Sequence, residues 1–138
     1  MELADTSAWT NRHRSAVTAA DFQARLEGGL IATCEMVELE LLSTARDHPD
    51  FLALREDLDA LERTSITPMV WTRATDVFEA LAAAGPLHHR RVKLPDLLIA
   101  AAAETAGLPV CHYDADFDLI ADVTGQPVRA IAPLGSLG

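Results

Sequence analysis

Three aspartates at alternate positions mark the stretch His112-Tyr113-Asp114-Ala115-Asp116-Phe117-Asp118 as a place where chemistry could occur. The apolar run before it, Leu108-Pro109-Val110-Cys111, reads as a buried strand. The run after it, Leu119-Ile120-Ala121-Asp122-Val123, is spaced for a helix closed by Gly125. Asp114 and Asp116 therefore fall where a strand hands over to a helix, the position at which open α/β sheets bind ligands. Two carboxylates this close repel each other unless a cation joins them. A hard divalent ion such as Mg²⁺ does so through oxygen ligands. Asp114 by itself also suits a plainer role, capping the following helix. A calcium-binding EF-hand is excluded, because its glycine position is Leu119 and its closing glutamate position is Gly125.

Other carboxylates could arrive at the same place. Asp5 ends a short first strand at residues 2–5. Asp96 lies in the first turn of a helix whose flanks, Leu97, Leu98 and Ile99, predict burial. The positive end of the helix dipole favours an acidic group there, and a burial-prone Asp usually has a partner. A helix over 34–46 offers Glu35, Glu38 and Glu40. Of these, Glu40 lies beside the apolar Met36 and Val37, whereas Glu35 and Glu38 are more readily solvated.

The elements that must position these groups alternate between strand and helix. Thr6 or Ser7 can cap a short helix through Trp9, and a helix at about 19–27 stops at Gly28-Gly29. Residues 30–32 read as a second strand. Phe51, Leu54, Leu58 and Leu61 recur at helical spacing after Pro49. A third short strand is expected at 65–67. Thr67 then caps a helix opened by Pro68, with Val70, Ala74, Val77, Phe78 and Leu81 as its apolar stripe. A basic loop, 85–93, leads to the apolar helix 96–106 and the strand 108–113, and a fifth strand fits 128–131. The pattern predicts one α/β domain over 1–138, with a mostly parallel sheet of four or five strands flanked by helices. The tail 132–138 is expected to be flexible.

Composition narrows the function classes. A net charge of −10 argues against nucleic-acid binding by broad electrostatic attraction. It is compatible with acidic groups gathered around cations. No apolar run approaches the ~20 residues needed to cross a bilayer, so no membrane association is expected. The first residues lack the features of a signal peptide. Cys34 and Cys111 lie in apolar contexts without metal-ligand spacing, as expected of buried thiols in a cytoplasmic protein.

Asp5-Thr6-Ser7 after the first strand, the acidic helix Val37-Glu38-Leu39-Glu40-Leu41-Leu42, and Leu94-Pro95-Asp96 running into Leu97-Leu98-Ile99-Ala100 carry a resemblance. Together with Tyr113-Asp114-Ala115-Asp116-Phe117, they resemble PIN-domain nucleases. The likeness spans nearly the whole chain and is nearest to VapC-type toxins of bacterial toxin–antitoxin pairs. It implies a metal-dependent endoribonuclease with Asp5, Glu40, Asp96 and Asp114 as an acidic quartet. Asp116 would be an added ligand, and Mg²⁺ or Mn²⁺ the cofactor. One or two such ions activate a water and stabilise charge on the leaving oxygen. Glu38 rivals Glu40 for the helix position, and Thr6 or Ser7 would be the hydroxyl beside the first aspartate. The resemblance also implies a cognate VapB-type antitoxin and a homodimer. The apolar stripes of helices 50–63 and 69–84 favour pairing independently.

RNA must still approach an acidic protein. Arg90, Arg91 and Lys93, just before Asp96, and Arg12, soon after Asp5, can meet phosphates at the rim. His88 and His89 are poorer metal ligands for a hard cation. A competing reading is a non-catalytic α/β module whose acidic crevice binds a basic partner segment. A haloacid-dehalogenase-type phosphatase fits less well, since Phe117 and Asp118 follow where a Thr would be wanted.

Overall fold

A computed structural model describes residues 1–138. In chain order the elements are β1 (Glu2–Ala4), α1 (Thr6–Asn11), α2 (Ala16–Glu27), β2 (Ile31–Thr33), α3 (Glu35–Leu42), α4 (His48–Asp59) and β3 (Glu62–Arg63). There follow α5 (Pro68–Ala84), α6 (Leu94–Thr105), β4 (Val110–His112), α7 (Ala115–Thr124) and β5 (Val128–Ala130). Short 3₁₀ turns at Arg12–Arg14 and His88–Arg91 precede α2 and α6.

The five strands run in the order β3-β2-β1-β4-β5, and every pairing is parallel. Parallel neighbours need crossover connections, which the helices supply while covering both faces of the sheet. Double coverage explains why β1, β2 and β4 are buried along their whole length. The main core joins Leu3 and Val110 of the sheet to Val70, Val77 and Leu81 of α5, to residues 97–103 of α6, and to Phe117 and Ile120 of α7. A smaller core of Ala4, Ala8, Phe22, Ile31 and Cys111 fills the other face. Each fully buried Leu, Ile or Phe contributes about 1.5–3 kcal/mol. Helix α6 is buried continuously from Asp96 to Ala103, as its unbroken apolar sequence predicts. Both cysteines are buried thiols.

Four sequence expectations change. The third strand is not residues 65–67 but the exposed pair Glu62–Arg63, set by Thr64 N–H donating to the Thr33 carbonyl at 2.8 Å. The Ile66 N–H instead donates to the side chain of Glu35 at 3.0 Å, which takes that segment out of the ladder. The cap of α1 is Asp5 rather than Thr6 or Ser7. Its side chain accepts from the Ala8 N–H, and Thr6 and Ser7 lie within the helix. The helix expected over 34–46 ends at Leu42, and the loop 85–93 contains the second 3₁₀ turn.

Candidate active site

The register of the central strands decides what meets. Leu3 and Ala4 of β1 pair with Val110 and Cys111 of β4, so Asp5 and Asp114 leave the same edge of the sheet one strand apart. Asp5 is buried by that placement and by α1. Ser7 Oγ donates to both of its oxygens, at 2.8 and 2.9 Å. The same Ser7 oxygen accepts the Tyr113 N–H at 2.8 Å, tying the first turn to the fourth. Burial pushes the Asp5 carboxyl up to about 6, although these donors pull the other way.

Asp96, Asp114 and Asp116 form a compact acidic group, each offering an oxygen within 4.8 Å of the others. Asp114 caps α7 by accepting the Asp116 N–H at 2.9 Å. The capping role and the place in the cluster thus belong to one residue. Asp116 accepts the backbone N–H of Lys93 at 2.9 Å. Asp96 is buried in the first turn of α6, and its Oδ2 has no hydrogen-bond partner. Burial, with Asp116 adding to it, drives the Asp96 carboxyl well above the usual carboxylate range. Asp116 moves the other way: burial opposes its charge, but its bonds to Lys93 and Asp96 outweigh that and keep it ionised. Hard oxygen donors gathered around a buried carboxylate oxygen that no hydrogen bond satisfies suit a divalent cation.

The three glutamates of α3 are sorted by their partners. Glu35 holds the Ile66 N–H. Glu38 is buried and binds Arg63 through two bonds, 2.7 and 2.6 Å long. Glu40 faces the first turn and accepts from Thr6 Oγ1 at 2.7 Å. Glu40 is therefore the glutamate on the Asp5 side, while Glu38 is committed to the edge strand.

The basic residues separate as well. Lys93 leans into the acidic group, its ammonium 2.7 Å from Asp114, 3.0 Å from Asp116 and 3.6 Å from Asp96. Burial works against that charge, yet its bonds to Asp114 and Asp116 hold the ammonium above its ordinary pKa. Arg90 and Arg91 are exposed on the turn before α6. Arg12 is half-buried over the rings of Trp9 and Phe22, 5.2 and 5.8 Å from their centroids. His112, which the acidic motif overshadows in the sequence, is wholly buried under the turn and accepts the Asp114 N–H at Nδ1. Its signal in the sequence is its place, the last residue of a buried strand ahead of the aspartates.

The PIN domain family profile matches residues 3–123. Ribonuclease VapC18 and Ribonuclease VapC21 of Mycobacterium tuberculosis (strain ATCC 25618 / H37Rv) are 44% and 42% identical to this chain. The alignments cover 96% and 97% of it and 96% of each relative. A toxin–antitoxin complex from Klebsiella pneumoniae contains a chain of the same fold, with TM-score 0.69 and 18% identity over 96% of this chain and 98% of that one. DNA-bound VapBC from Salmonella typhimurium matches with TM-score 0.68 and 16% identity, over 96% of this chain and all of that one, 100%. The family match over residues 3–123 and the 44% and 42% identities along nearly the whole chain lead to one conclusion: this chain belongs to the PIN-domain family, in its VapC branch.

Proposed function

We propose that the chain is an Mg²⁺- or Mn²⁺-dependent endoribonuclease that hydrolyses RNA phosphodiester bonds in the cytoplasm and is neutralised by a VapB-type antitoxin. The observation that carries this reading is the convergence of Asp96, Asp114 and Asp116 within 4.8 Å, with Asp5 one strand away. Asp5, Asp96, Asp114 and Asp116, with Glu40 at the margin, would hold the ion. When bound, it supplies Lewis-acid stabilisation of the charge that develops during phosphodiester hydrolysis. The chain's own residues do the rest. Ser7 fixes the orientation of Asp5, and Thr6 aims Glu40. Buried Asp96 would hold the cation in its deprotonated form, so binding there would release a proton. Arg90 and Arg91 meet phosphates at the rim.

The antitoxin reading rests on two features. A cleft of about 750 Å³ lies beside the Thr6–Glu40 contact, lined by Trp9, Leu26, Leu41, Leu54, Leu58 and Leu61 among others, and suits an apolar helix. The crevice also accepts a basic side chain, since Lys93 already occupies it. An antitoxin arginine could bind the same carboxylates bidentately. The exposed apolar residues Trp71 and Leu94, lining a groove between α5 and α6, support a homodimer.

The test is cleavage of RNA by the purified chain, with 5′ ends mapped by sequencing, in Mn²⁺ and in chelator. Replacing Asp5, Asp96 or Asp114 by Asn should reduce cleavage by about a hundredfold or more with the fold intact. Near-parent activity in all three variants would sink the reading.

A further inference from the structure

His112 is the largest polar side chain in the core that the proposed reaction leaves without a task. It ends β4, its side chain is 1% exposed, and its ring packs on Phe117 with centroids 5.3 Å apart. Nδ1 accepts the Asp114 N–H at 3.1 Å. An accepting Nδ1 requires the ring proton to sit on Nε2. That Nε2–H is buried with no hydrogen-bond partner, and the nearest carboxylate oxygen, on Asp118, is 3.7 Å away. A leucine or phenylalanine would fill the same space without leaving a polar group unpaired. The Nδ1 contact is what distinguishes histidine here from a hydrocarbon.

That contact falls at a decisive point. The sheet ladder ends at His112, whose carbonyl accepts from Ile131, so residue 114 has no strand partner. Side chains take over: the Tyr113 N–H goes to Ser7, the Asp114 N–H to His112, and the Asp116 N–H to Asp114. The turn bearing two of the three clustered carboxylates is thus built on side-chain acceptors. His112 is the acceptor that fixes the backbone of Asp114 itself.

We propose that His112 is a positioning residue for the cation-binding turn: by accepting the Asp114 N–H at Nδ1, it holds Asp114, and through it Asp116, at the spacing a divalent ion requires. The inference rests on the metal-dependent reading above. Burial favours the neutral ring, consistent with Nδ1 as acceptor.

Two substitutions separate positioning from packing. In His112→Asn the side-chain oxygen lies near the place of Nδ1. In His112→Gln the volume is closer to histidine, but the oxygen lies nearer the place of Nε2. Mn²⁺ binding is measured by calorimetry alongside thermal denaturation of each variant. His112→Gln should weaken Mn²⁺ binding at least about tenfold, and His112→Asn by no more than about threefold, in the range seen for groups that orient metal ligands. The smaller Asn should nonetheless melt at the lower temperature. Gln binding Mn²⁺ as well as or better than Asn overturns the inference, because volume alone would then matter. If neither variant folds, imidazole ¹⁵N shifts of the unmodified protein decide. The Nε2–H tautomer with a slowly exchanging Asp114 amide supports the proposal, and the Nδ1–H tautomer overturns it. A parent chain that binds no Mn²⁺ overturns the functional reading and this inference together, whereas a binding parent with the wrong variant order overturns this inference alone.

Discussion

Thr6 Oγ1 donates to Glu40 Oε1 at 2.7 Å, so the first turn of α1 and the last turn of α3 close on each other at the margin of the acidic crevice. Two residues earlier on the same helix, Glu38 turns away and clasps Arg63. The pair gives opposite expectations. Glu40→Gln should lower cleavage at least about tenfold with little loss of stability. Glu38→Gln should leave activity within about threefold and cost roughly 1–2 kcal/mol in urea denaturation, kept small because Arg63 is partly solvated. The reverse ranking would assign the helix carboxylate to Glu38.

The strand-to-helix turns at Asp5 and Asp114 are legible in the sequence because the signal is local, a short apolar run followed by an aspartate. The cap at Asp114 follows from it, whereas the first cap falls on Asp5 and not on the expected Thr6 or Ser7. Helix α6 was legible for the same reason. Glu38, expected from the sequence to be the more solvated glutamate, is instead buried against Arg63, and Glu40 is the more open of the two. Their difference lies in Arg63 and Thr6, partners far off in the chain that only the sheet brings near. The third strand was misplaced because Ile66 has the β-propensity while Glu62 and Arg63 have the ladder position, a two-residue edge strand being set by its neighbour and not by its own composition. Lys93 read as a rim group for phosphate. Its exposed side chain also reaches the carboxylates of Asp114 and Asp116, which the linear sequence does not bring next to it.

Acidity should couple stability to metal. Burial raises Asp5 from 3.8 to about 6 and moves Asp96 the same way. A carboxyl with a raised folded-state pKa binds its proton more tightly when folded. Its contribution is therefore present below the ordinary value near 3.8 and is lost as pH rises through about 6. For Asp5 the span corresponds to roughly 3 kcal/mol. In chelator, Asp5→Asn should gain stability relative to the parent as pH goes from about 4 to 6. Mn²⁺ should stabilise the parent far more above the Asp5 transition than below it, since ligands must be deprotonated. Equal stabilisation at both ends, followed by thermal denaturation, would falsify the coupling.

Lys93 supplies the counter-charge for three carboxylates in the absence of another cation. Lys93→Gln should destabilise the metal-free protein by about 1 kcal/mol, modest because the side chain is well exposed. Saturating Mn²⁺ should erase the deficit, the ion replacing the ammonium. A deficit that persists in Mn²⁺ would mean that Lys93 has a structural task apart from the crevice. The comparison needs only melting curves in chelator and in metal.

Trp71 is 57% exposed and lies on α5 at a groove of about 310 Å³ that reaches Leu94 and Met36. If this face pairs two copies, Trp71→Glu should convert the dimer to a monomer at tens of micromolar while leaving the fold unchanged. Light scattering that shows a monomer already in the parent would refute the pairing.

The strand order has a consequence for synthesis. The central position of β1 is filled at the start of the chain, but its partner β4 and the carboxylates at 114 and 116 come late in the 138 residues. A nascent chain, emerging N-terminus first, displays Asp5 and Glu40 long before the groups that complete the crevice exist. A chain cut before residue 114 therefore lacks two of the three clustered carboxylates. The acidic group comes into being only once the segment that follows β4 has been made.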